Sequence, residues 1–378
     1  MRQPVNALRV VIKAAILFAL FNLLWAAFDP PVGKITGYNL LWPGRLRFPY
    51  EESPTYYLQG YNAPVLEDFD AMFGAHVISA SPKQPDEFRV LLLGDSAVWG
   101  GHVRAQDALS EQLNRMDLTA CDGRKVRVFN LGYPWPSTLR DLLILDTAMQ
   151  YNPDLILWMV TLHSFEKKNE ERQFLVPHAE RMTALMQEHS LNLPAAYDDV
   201  SAPSFWDKTI VGQRKRLKDI LLVQLFGPLW AATGIDNHAA TPARHPPVSQ
   251  EVNRDRSYFE YKSAQQTSVL LKSLFFETLR VGREIAAPAP VIVVNEPIFI
   301  VQGRNSDLRY NWLYPRWAYD AYRQSLADWT TQRGYAYLDY WNAVPATLFA
   351  NEIFHRDPAG EAMYAELLAP SIVQSACP

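Results

Sequence analysis

The 378-residue sequence has only two cysteines, Cys121 and Cys377. A pair so far apart cannot form a sequence-local zinc knuckle, and at this level it stays open whether the two are bridged or are unrelated thiols. Histidine is scarce as well. The eight are dispersed, with no pair at ligand spacing on one helix, which argues against a metal hydrolase, so no metal and no cofactor is expected. Positive charge is not in excess: 36 Lys and Arg against 40 Asp and Glu give a formal charge of -4, which excludes a nucleic-acid surface built on broad positive potential. No fixed-period repeat is present, so the chain is not a solenoid. What it does have is a 48% apolar composition, enough for a large buried core, and 11 Trp, 18 Tyr and 27 Pro, which predict long ordered loops.

The first 28 residues differ from the rest. Arg2, Arg9 and Lys13 precede the run 14–28, interrupted only by Asn22. Starting at Ala7 and letting Arg9 and Lys13 snorkel gives the roughly 20 residues that cross a bilayer. A cleaved signal peptide is the rival reading, but Trp25 spoils the small-x-small pattern before Ala27, which favours an uncleaved anchor. Positive residues on the amino side put the N-terminus in the cytoplasm and the chain from Asp29 onward outside the cell membrane. Residues 29–86, rich in Pro, Tyr and Gly, read as a juxtamembrane stalk that packs partly on the next domain and lifts it off the bilayer.

From residue 87 the pattern alternates. Branched apolar runs at 89–93, 126–131, 155–160, 291–294 and 335–338 are strand candidates, with helical segments at 107–116, 138–150, 264–285 and 318–332 between them. This predicts an α/β fold, a three-layer α/β/α domain over 87–378 with a mainly parallel five-stranded sheet. Its ligands would sit outside the carboxyl ends of the strands. The stretch 165–263 is too long for an ordinary connection and reads as an inserted cap. Within it, 213–230 mixes Arg214, Lys215, Arg216 and Lys218 with apolar residues like an amphipathic surface helix, for which packing against the domain is favoured over membrane contact.

The first strand delivers a serine: 89–93 is followed by Gly94, Asp95 and Ser96. Ser96 at a strand end, beside the start of a helix, can act as nucleophile with its own N–H turned to a developing oxyanion. Asp95 reads as a turn residue. Near the other end, His355 stands just before Asp357 and Pro358, an N-cap followed by proline at the first helical position. That places the imidazole in a loop where it can serve as the base. Glu352, three residues earlier, is the candidate orienter of the ring. Asn295 and Glu296, after the fourth strand, are candidate substrate contacts.

Gly94-Asp95-Ser96 and Glu352-x-x-His355 resemble the first and last blocks of the SGNH, or GDSL-type, hydrolases, over roughly 88–170 and 265–375. The resemblance implies a flavodoxin-like domain and an oxyanion hole built from the N–H groups of Ser96 and Gly132. In the family a third donor is an asparagine after the next strand; here the matching stretch is Thr161-Leu162-His163-Ser164, and His163 takes its place. Glu352 stands where the family usually has Asp. The anchor plus an outside domain resembles proteins that O-acetylate polysaccharide or D-alanylate teichoic acids. This implies an esterase or O-acyltransferase, its substrate an acylated envelope glycan or lipid, with a membrane-bound acyl donor protein as a possible partner. The competing expectation is a noncatalytic envelope-binding or assembly module on the same fold.

Overall fold

The computed structural model describes residues 6–42, 44–49, 68–166, 172–192, 203–238, 243–252 and 267–377. The chain opens with α1 (Ala7–Phe28), whose N-cap Asn6 accepts the Arg9 N–H. It is long and apolar enough to cross a membrane, with a mean hydropathy of 2.2. Two short helices follow, α2 (Gly37–Leu41) and α3 (Phe69–Ala75).

The sheet-bearing part runs β1 (Glu87–Leu93), α4 (Ser96–Trp99), α5 (Leu109–Arg115), β2 (Lys125–Asn130), α6 (Thr138–Ala148) and β3 (Leu155–Val160). After β3 come α7 (Arg172–Leu175), α8 (Ala179–Glu188), α9 (Arg214–Thr233), α10 (Thr267–Ser273) and α11 (Glu277–Ala286). The chain finishes with β4 (Val291–Asn295), α12 (Arg316–Gln332), β5 (Ala336–Asp339) and α13 (Pro358–Gln374).

All five strands pair in parallel in the order β2-β1-β3-β4-β5. The order reverses between β1 and β3, so a crevice opens at their carboxyl ends. A parallel strand is covered on both faces, which is why β1 reads as an unbroken apolar run and is buried throughout. Leu91 and Leu93 point into one core with α6 and α11, while Val90 and Leu92 point into the other with Leu109 of α5 and Leu368 of α13. The expected three-layer α/β/α architecture is what the chain forms.

One detail differs from the expectations. The helix at 264–285 is broken into α10 and α11, because the Phe275 N–H is captured by Phe165 O at 3.2 Å and Leu274 bridges to Glu166; residues 264–266 lie outside the described residues. Within 29–86 the described residues pack on the domain, as the partly packed stalk was expected to do. Tyr38, Phe48, Met72 and Phe73 are buried in the same core as β1 and α6. The described parts of 165–263 are likewise fastened to that core through Phe174, Leu185 and Val223; residues 167–171, 193–202, 239–242 and 253–263 lie outside the described residues.

Cys121 and Cys377, left open by the sequence, form a disulfide with the Cα atoms 4.9 Å apart. It joins the loop before β2 to the end of α13.

Candidate active site

The nucleophile loop is shaped by glycine. Gly94 has φ 151°, and a Cβ there would lie 2.6 Å from Val98 Cγ2 and 3.0 Å from Met159 Cβ, so the turn out of β1 excludes a side chain. Asp95 then caps α4, its Oδ1 accepting the Ala97 N–H at 2.8 Å. Ser96 is thereby presented at the carboxyl end of β1, half-buried.

The loop ahead of α13 brings the imidazole to it. His355 Nε2 is 2.9 Å from Ser96 Oγ, across 259 positions of sequence. Burial, then His102 and Arg356, hold the His355 pKa well below its ordinary 6.5, so the ring is neutral near pH 7. The loop itself is held by Arg356, whose guanidinium bonds Glu296 Oε2 at 3.2 Å and pairs with Glu361 Oε1 at 3.2 Å.

The residue at the far side of the ring is Asn351, which sequence reasoning missed. Its Oδ1 accepts the N–H groups of Ile353, Phe354 and His355 at 3.0, 3.3 and 3.2 Å. Those three bonds fix the amide with its oxygen toward the backbone and its nitrogen toward the ring, an assignment made from the network. Nδ2 lies 2.5 Å from His355 Nδ1 and 3.5 Å from His102 Nε2. An amide NH₂ can only donate, so Nδ1 is the bare nitrogen and the ring proton sits on Nε2. From there it is donated to Ser96 Oγ. A ring in this form holds the serine but cannot take its proton.

The other expected site residues are placed differently. Glu352 is exposed and lines a cleft with Gln250, Phe299 and Trp312, with no hydrogen bond to His355 among the described residues. The Asn351 side chain, one residue earlier, fills the orienter's place. Gly132 lies directly behind α4: a Cβ there would lie 2.5 Å from Trp99 N, and its N–H is already donated to Asn130 Oδ1 at 3.0 Å. An oxyanion would have to compete for that N–H. His163 is buried and turned toward Glu166 Oε2, 3.4 Å away, and edge-on to Tyr314.

Asn295 and Glu296 are corrected outright as substrate contacts, since both are fully buried. Asn295 Nδ2 donates to Asp339 at 2.8 Å, and its Oδ1 accepts from Tyr319 and Tyr322. Glu296 faces Arg356. A strand-end polar residue can point into the sheet as readily as into the crevice, and only partners distant in sequence decide which.

Beneath Ser96 and His355, Arg356 is thus shared by two buried carboxylates. Burial raises the pKa of Glu296 to about 8, that of Glu361 to about 7 and that of nearby Asp95 to about 6. A carboxyl whose pKa rises on folding holds its proton more tightly in the folded chain. Stability from this group is therefore full below the ordinary glutamate value of 4.5 and declines as pH rises toward about 8. Asp154 and Glu284, held below their ordinary values, act only at more acid pH. The buried imidazoles of His76 and His355, held below 6.5, add stability as pH rises toward that value, so the fall due to the carboxyls is read above it. The thermal midpoint should fall between pH 7 and 8, and Glu296→Gln should flatten that fall; calorimetry across this range checks it, and an unchanged slope would count against the burial argument.

No family model and no curated protein matches the chain. Among solved structures, a carbohydrate acetylesterase family member from Sinorhizobium meliloti is similar at 11% identity and a TM-score of 0.34, covering 75% of this chain and 98% of that one. The M. smegmatis aryl esterase is similar at 12% identity and a TM-score of 0.33, covering 75% and 97%. At such scores the reading of the site rests on its own geometry.

Proposed function

We propose that the chain is a membrane-anchored serine acyl-ester enzyme. The observation that carries this is the 2.9 Å contact of Ser96 Oγ with His355 Nε2, made at the carboxyl end of β1 beside the sheet's switch point. In the reaction, which runs only from the ring tautomer with its proton on Nδ1 and Nε2 bare, Ser96 Oγ bonds to the acyl carbon while its proton passes to His355 Nε2. The imidazolium then protonates the leaving alcohol oxygen as its bond to carbon breaks. The Ser96 N–H, first in α4, has no partner among the described residues and faces the developing oxyanion. Water releasing the acyl group makes the protein an esterase. An alcohol of a glycan or lipid makes it an O-acyltransferase, and anchoring beside a membrane-bound acyl donor favours that course by raising local concentration. The disulfide supports an oxidising, extracytoplasmic side for the domain.

Asn351 at His355 Nδ1 specifically favours a second reading, a noncatalytic envelope-binding module that keeps the constellation with the ring in its unreactive form. Mass-spectrometric mapping of fluorophosphonate labelling on the folded protein separates the two. The enzyme reading expects label on Ser96 that disappears in His355→Ala. Folded wild-type protein that takes up no label would count against an activated serine and favour the binding module or a site completed only by a membrane partner.

A further inference from the structure

Outside α1, most of the exposed large apolar side chains among the described residues lie on or beside α2, the 205–213 loop and α9. On α9 the side chains of Leu221, Leu225 and Leu229 form one stripe, exposed to 57, 66 and 57%. The opposite face of α9 is buried: Gly227 lies against the Tyr38 ring, and Gln224 Oε1 accepts the Gly37 N–H at 2.7 Å. This packing fixes α2 beside α9, and α2 presents Leu40 and Leu41, exposed to 81 and 62%. A helix with one face sealed and the other apolar and open is oriented toward something other than water.

The position of α1 identifies what that is. Asn22 and Ala26 are the buried residues of α1, and Asn22 Oδ1 accepts the Val211 N–H at 3.2 Å. Gln213, the residue before α9, reaches Asp29 at 3.3 Å. Asn22 stands six residues before Phe28, and at about 1.5 Å per residue it lies roughly 9 Å inside the end of the helix. A spanning α1 of 22 residues is about as long as the hydrocarbon is thick, so Val211 is held at a level below the bilayer surface. Trp206, 69% exposed, is on the same loop, where an amphipathic ring suits the headgroup boundary. The first turns of α9 expose Arg214, Lys215 and Lys218.

We propose that the domain is seated in the bilayer surface along the 205–213 loop and the exposed stripe of α9, with Arg214, Lys215 and Lys218 against anionic headgroups. This rests on reading α1 as the anchor. Apolar side chains enter the acyl boundary while the basic turn meets phosphate, the arrangement of an interfacial helix. The domain is therefore held on the membrane at two places and does not hang from a tether.

The test uses the full chain in vesicles of phosphatidylcholine with phosphatidylglycerol, spin-labelled in turn at Leu225→Cys, Val269→Cys and Leu17→Cys. Val269, on α10, is 54% exposed and serves as the aqueous control, and Leu17 lies within α1. Each label is read by its accessibility to oxygen relative to a water-soluble nickel chelate. A lipid-like ratio at 225 and 17, with a water-like ratio at 269, is expected. A water-like ratio at 225 with a lipid-like one at 17 would overturn the proposal and leave the anchor standing. Water-like ratios at both would overturn the anchor itself. A label at 225 shielded from both reagents would overturn the proposal in favour of a protein partner.

Discussion

Asn351→Asp should raise kcat on an activated acyl ester by about 10²-fold. One aspartate oxygen can keep the three backbone N–H bonds that Asn351 Oδ1 now accepts. The other then stands where Nδ2 stands and accepts a proton from His355 Nδ1, which leaves Nε2 bare to take the Ser96 proton. An orienter that selects the wrong tautomer costs about 10⁴ in kcat in enzymes of this logic, so a gain of about 10² is a partial recovery. The new carboxylate also stabilises the imidazolium, which moves the acid limb of the pH-rate profile upward from the depressed value that burial and Arg356 impose. Nitrogen-15 shifts of the imidazole give a separate readout: Nε2 protonated in the wild type, Nδ1 protonated in the variant. Unchanged turnover with an unchanged tautomer would show that the Asn351 amide is not what sets the ring.

Ser96→Ala should bring ester turnover down by at least about 10³, toward the uncatalysed rate, because the covalent route is removed altogether. His355→Ala behaves differently in the two backgrounds. In the wild type, where the ring rests in the unreactive form, its loss costs less than in the Asn351→Asp protein, where the base is fully engaged. Such non-additivity is expected of groups that act as a unit, and steady-state kinetics on the four proteins measures it. Equal losses in both backgrounds would mean that Asn351 and His355 do not act together. Retained turnover in Ser96→Ala would move the chemistry to another residue.

The sheet was readable because its strands are parallel and buried on both faces: a run such as Val-Leu-Leu-Leu ahead of Gly94 has few other uses. Ser96 and His355 were readable because each sits beside a local signal, a strand-ending glycine and an N-cap followed by proline. The ring's neighbour was not. Glu352 and Asn351 are adjacent, and which of them turns inward depends on the three backbone N–H groups that Asn351 collects, a local turn that composition does not announce. Arg356 could have been suspected, since a cation one residue after the base and buried beside Glu296 and Glu361 is costly unless paired. Asn295 and Glu296 misled because strand ends were treated as facing one way. For the segment 29–86, a proline-rich composition announces an irregular path but not which of its residues, such as Tyr38, Phe48 and Phe73, enter the core.

The bridge between Cys121 and Cys377 sets an order of events on the growing protein. Its two ends are 256 residues apart, so it cannot close until Cys377 has emerged, and docking of α13 on α5 brings the two thiols within reach. Until then Cys121 travels as a free thiol, and because the sequence has no third cysteine it has no wrong partner within its own chain. Setting the last helix, and with it the His355 loop that precedes that helix, brings the two thiols together, so the same docking event that assembles the site favours closure of the bridge.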